Sequence, residues 1–89
     1  MIQSKASGKC LDIGGSAPGA DGPAIVQQPM QPAAMSQRWT LQGRADGSAM
    51  LINMAANMPL HPGDSSGNDG APICLTGQAG DPTIWWKLV

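Results

Sequence analysis

Few side chains in these 89 residues can do chemistry: one histidine (His61), two cysteines (Cys10 and Cys74), six carboxylates, all of them aspartate, and three tryptophans. Nucleophilic catalysis needs a hydroxyl or thiol beside a base that a third group orients. His61, set between Leu60 and Pro62, has no such nucleophile in a recognisable setting and no orienting acid in its motif, and reads as a surface or half-buried histidine. No Cys/His cluster has metal-ligand spacing. The stretch from Asp64 to Asp69 (Asp-Ser-Ser-Gly-Asn-Asp) faintly suggests a calcium loop, but it lacks the twelve-residue spacing and the closing glutamate, so it reads as a solvated turn. Nothing in the sequence pairs two carboxylates as acid and base. The expectation is a binding protein with no catalytic residues, no metal and no cofactor.

The elements that must position any binding group are short. Twelve glycines and eight prolines are well above average usage and impose frequent turns. No run of ten residues free of both shows a helical period. Residues 30–38 come nearest, and Pro32 limits them to a single turn. Ile25-Val26 and Ile73-Cys74-Leu75 are β-favouring and bounded by Gly and Pro. Trp39-Thr40-Leu41 and Trp86-Lys87-Leu88 alternate apolar and polar, which predicts strands with one buried face. The chain is thus expected to be all-β and one domain, with thin stability at this size. Five basic residues are scattered and the net charge is −1, so no stripe suits nucleic acid. No apolar run approaches a membrane span. Met1-Ile2-Gln3 leads into Ser-Lys-Ala-Ser-Gly with no visible signal peptide. That leaves a cytoplasmic chain, an unconventionally secreted one, or a fragment of a secreted protein. Cys10 and Cys74 are expected to be reduced, half-buried small side chains.

A repeat organises these pieces. Ile2–Asp12 aligns with Leu51–His61, placing Ala6 on Ala55 and Leu11 on Leu60. With single-residue slips, Asp21-Gly22 then falls on Asp69-Gly70, Ile25 on Ile73, and Trp39-Thr40-Leu41 on Trp86-Lys87-Leu88. The expected organisation is repeat one over residues 2–42, a linker over 43–50 and repeat two over 51–89. Each closing tryptophan is expected to plug a shared core. The glutamine two places before the first is expected to satisfy loop backbone groups.

Repeat one carries Gly-Lys-Cys-Leu-Asp-Ile (8–13), Asp-Gly-Pro-Ala-Ile-Val-Gln-Gln-Pro (21–29) and Gln37-Arg38-Trp39. This order resembles the ricin B-type lectin repeat: a Gly-x-Cys-Leu-Asp strand, an Asn/Asp-Gly turn and a closing Gln-x-Trp. Repeat two is degenerate, with Leu60-His61 for Leu-Asp and Ile84-Trp85-Trp86 for Gln-x-Trp. The resemblance implies a β-trefoil-like fold with two of its three repeats in one chain. The third would be lost by truncation from a longer domain or supplied by a homo-oligomer, since a repeat that cannot close its own core needs neighbours.

The resemblance also implies a lectin-like function, binding carbohydrate of galactose type or another simple sugar. In the family an acid accepts bonds from sugar hydroxyls, an aromatic ring stacks on the sugar, and an Asn adds a bond. Carried onto this chain, the site is Asp12, Val26, Gln28, Ser36 and Gln37, with Gln28 in the aromatic position and Ser36 in the Asn position. Strand alternation would turn Val26 and Gln28 outward and Ile25 and Gln27 inward. In repeat two the same places fall on His61, Thr76 and Thr83, which implies no working site. Asp12 is equally open to a reading as a turn residue beside Gly14-Gly15, and Gln28 and Ser36 as plain solvated residues. Trp85, next to the core Trp86, is expected to face outward as a subunit-interface residue, with a ligand platform or local packing as alternatives. Met30, Met35, Met54 and Met58 read as gap-fillers of core or interface. Two other roles stay open: a sugar-blind trefoil serving assembly or protein contact, and the targeting appendage of a longer enzyme or toxin.

Overall fold

In the computed structural model, residues 1–16, 22–63, 69–77, 80 and 82–87 are described. Asp21, residues 64–68 and Leu88, each part of a motif above, lie outside them. Among the described residues the chain is all-β: β1 (Cys10–Ser16), β2 (Pro23–Gln28), β3 (Trp39–Gly43), β4 (Ala49–Asn53), β5 (Met58–Pro62), β6 (Ile73–Leu75) and β7 (Trp85–Trp86). Two single 3-10 turns, Met35–Gln37 and Pro82–Ile84, precede β3 and β7. The first is the one turn that Pro32 permits in the 30–38 stretch.

All pairings are antiparallel, and the strands follow the order β1-β2-β6-β5-β4-β3, with β7 on β4. Strand ends follow the turn residues. The β1–β2 register shifts between Ile13 and Ser16, where Gly14-Gly15 tolerate a bulge. Pro29 cannot extend the ladder and β2 stops at Gln28. Asp46 closes the β3–β4 hairpin by accepting the Ser48 N–H (2.9 Å) and Oγ–H (2.6 Å), with Gly47 at φ 88°. The stretch 43–50 expected between the repeats forms this hairpin tip. Gly22 could be nothing larger, because a Cβ there would run into the Leu75 carbonyl oxygen.

Residues aligned in sequence take matching places. Asp12 faces Val26 across β1–β2 as His61 faces Cys74 across β5–β6, and Leu11 faces Gln27 as Leu60 faces Leu75. Gln3 bridges Cys10 as Ile52 pairs with Pro59. Gly8 (φ 73°) and Asn57 (φ 56°) both adopt the left-handed conformation and donate their N–H groups to Ser4 and Asn53, at 2.8 Å each. The Trp39 indole N–H donates to the Leu11 carbonyl (3.3 Å), and the Trp86 indole to that of Leu60 (2.9 Å).

The core consists of Trp39, Leu60 and Leu75, with Ile2, Leu11, Ile13, Ile25, Leu51, Met58, Ile73 and Trp86 packed against it. Several expectations need correction. Leu41, placed on a buried face by alternation, is 60% exposed. Alternation fixes which face a side chain takes but not whether anything covers it. Gln27, expected inward, is exposed and accepts the Ser7 hydroxyl (2.8 Å). Met30, Met35 and Met54 are exposed, and only Met58 of the four packs against the core. Cys10 and Cys74 form no disulfide and are fully rather than half buried. His61 is buried at 3% exposure, closed in by its place in β5.

Candidate functional site

Three elements converge on Asp12. Strand β1 carries it, β2 places Val26 directly opposite, and the 3-10 turn before β3 brings up Ser36 and Gln37. Gln37 is fully buried, and its amide is spent within the fold. Its Oε1 accepts the Gln31 N–H (2.9 Å), while its Nε2 donates to the Pro29 carbonyl (2.9 Å) and to Asp12 Oδ2 (3.2 Å). One side chain thereby satisfies both ends of the 29–31 loop and fixes the carboxylate. The loop is pinned again by Arg38 Nη2, which donates to the Pro32 carbonyl (2.7 Å).

Asp12 itself is half-buried. Its Oδ1 accepts the N–H of Ile13 (2.7 Å). Partial burial pushes its pKa up, but hydrogen bonds from Ser36, Gln37 and the Ile13 N–H outweigh that and hold it below the usual aspartate value. The carboxylate is therefore ionised at neutral pH. An ionised carboxylate offers about four acceptor positions. Three protein donors leave room for roughly one more, so the group can take a single hydroxyl or N–H from solution.

Around it, Val26 is 37% exposed and Gln28 is exposed one pleat further along β2, opposite Cys10. The structure thus brings Asp12, Val26, Ser36 and Gln37 together, with Gln28 at the margin. Gln37 is an internal support, closed to solvent. No aromatic side chain takes part: Trp39 is buried beneath, and Trp85 is half-buried at β7, where the Arg44 guanidinium lies over its ring at 4.1 Å. Trp85, expected outward, is thus partly covered by its own chain.

The matching place on β5 is built differently. His61 Nδ1 meets Thr83 Oγ1 at 3.1 Å, standing where Asp12 and Ser36 meet in the first cluster. His61 and Thr76 are both buried, and Ile84, 1% exposed, replaces the amide of Gln37. Sequence reasoning missed Asn53. It is fully buried and donates from Nδ2 to the Ser36 carbonyl (2.8 Å), tying β4 to the turn that carries Ser36 and Gln37. Its Oδ1 also accepts the Ala55 and Ala56 N–H groups (3.0 and 3.2 Å). Asn before a tight turn was the available signal. Among the described residues, no group of three or more His, Cys, Asp or Glu side chains could hold a metal ion.

An antiparallel all-β sheet in which aligned residues take matching places, with an indole in each half bonded to the carbonyl of a matching leucine, is the pattern of a β-trefoil-like protein. The chain belongs to the family described as ricin-type beta-trefoil lectin domain-like, which it matches over residues 1–88. Among solved structures it is similar to the crystal structure of a designed 3-fold symmetric protein, ThreeFoil, at TM-score 0.83 and 26% identity. That likeness covers 98% of this chain and 61% of the designed one, so the chain spans about three fifths of its length. No curated protein matches the sequence.

Proposed function

We propose that this chain is a non-catalytic carbohydrate-binding module with one shallow site, centred on Asp12 and bordered by Val26, Gln28 and Ser36. We read it as one domain of two β units, residues 2–42 and 51–89. The observation that carries the reading is the Asp12 carboxylate: ionised, half-buried, held from behind by Gln37, and with acceptor capacity left for one ligand hydroxyl. A simple sugar of galactose type presents hydroxyls for such an acceptor and C–H groups for Val26. Without an aromatic ring the contact is small, and affinity on the order of millimolar is expected. Titration of galactose and other simple sugars, followed by chemical shift changes, tests this. Saturable binding that disappears in Asp12→Ala is the expected result. No binding to any sugar, or equal binding by the variant, overturns it.

A second reading is favoured by the exposure of Leu41 and by the missing aromatic at Gln28. In it the chain self-associates, as a homo-oligomer, whether or not it also binds sugar.

A further inference from the structure

The register places an apolar row on one face of the β3–β4–β7 sheet. Trp39 pairs with Asn53, Leu41 with Leu51, and Gly43 with Ala49, which pairs in turn with Trp86. Directly opposed residues on antiparallel strands project to the same side. At one end of this face Trp39 is 8% exposed and Asn53 fully buried, while Leu41, in the middle of the row, is 60% exposed. Leu51 and Trp86 belong to the core and also line an open cleft with Leu41, Gly47 and Ala49. The cleft is therefore the core itself, left open on one side. A leucine at this exposure, continuous with core side chains, gains stability from any apolar cover.

Two observations say what kind of cover fits. The chain overlays almost completely on a threefold-symmetric protein and spans 61% of it, so further β structure like its own is a form of cover that this fold accommodates. The junction between the aligned units shows how such structure would be received. Asn53 is buried where the turn before β3 lies against it, whereas Ser4, aligned with Asn53, is exposed. The described residues that line the cleft are uncharged and the chain carries a net charge of only −1, which sets little like-charge repulsion against contact between copies.

We propose that the open face formed by Leu41, Ala49, Leu51 and Trp86 is a self-association surface, covered in solution by a second copy of this chain. This rests on the self-association reading above and is independent of sugar binding. The test is the solution mass of the full 89-residue chain by sedimentation across a wide concentration range, for the wild type, Leu41→Glu and Thr40→Glu. Leu41 is solvent-exposed enough for the glutamate to be tolerated in the monomer, and circular dichroism checks that fold. Thr40 is an exposed neighbour on the opposite face of β3 and controls for added charge.

The expected result is a wild-type dimer or larger. Burying an unpaired carboxylate in Leu41→Glu should weaken association by at least about a hundredfold, with Thr40→Glu unchanged. A wild type that is monomeric throughout, even if another protein binds the face, overturns both this surface and the self-association reading. An oligomeric wild type with Leu41→Glu equally associated, or with Thr40→Glu equally dissociated, overturns the surface alone.

Discussion

Asp12 on β1 and His61 on β5 occupy matching places, each facing β2 or β6 across an antiparallel pair and each meeting a hydroxyl from the turn before the next tryptophan. Only the Asp12 place is open. There the opposing strand ends in exposed Val26, Gln27 and Gln28, and a buried glutamine supports the acid from behind. Around His61 the opposing strand offers buried Cys74 and Leu75, Thr76 is buried beyond them, and an isoleucine replaces the amide. One scaffold thus turns the same position into a solvent-facing acceptor or into packing. The difference lies in the neighbouring side chains, since the backbone pairing is shared.

The largest effects should come from the two indoles. Trp39→Ala is expected to cost about 3–5 kcal/mol, enough to unfold most of the population of so small a domain. Trp86→Ala should cost less, because Trp86 is only half-buried. Urea denaturation of the two variants measures this, and an equal or larger loss at Trp86 would mean that the second half carries the core. Next comes Gln37→Ala, which strips partners from the Gln31 N–H and the Pro29 carbonyl and should cost about 1–3 kcal/mol. Ile84→Ala would test whether apolar packing does the corresponding job in the second half.

At the level of binding, His61→Asp should not create a second sugar site, because burial rather than residue type closes that place. Titration stoichiometry should stay at one per chain, and a rise to two would break the contrast. The smallest effect concerns acid. The folded pKa of Asp12 lies below its unfolded value. Its contribution to stability is therefore complete above the unfolded value of about 4 and is lost as pH falls through the lower folded value. Urea midpoints of wild type and Asp12→Asn, compared from about pH 6 down to about pH 3, should converge toward the acid end. A gap that widens on acidification would contradict the hydrogen-bonded carboxylate.

Much of this was legible in the residues. The spacing of Leu11 and Trp39 and of Leu60 and Trp86 located both indoles, and the Gln-x-Trp order located the amide that satisfies the loop. What could not be read was cover. Alternation assigned Leu41 to a face shared with Trp39, but which part of that face lies under other chain depends on contacts distant in sequence. The burial of His61 escaped notice for the same reason: the repeat alignment set it beside Thr83, but nothing in Leu-His-Pro says that the place is covered. Trp85 was legible as the odd aromatic, but its partner Arg44 lies on the tip of a hairpin far away in sequence.

The two sulfhydryls turn this pair of halves into something that can be timed. Cys10 lies in β1 and Cys74 in β6, both at zero exposure. An alkylating reagent meets either sulfur only while its strand is transiently unpacked, so labelling follows local opening rather than surface access. Mass spectrometry of each modified peptide would give separate clocks for β1 and β6, without a single substitution.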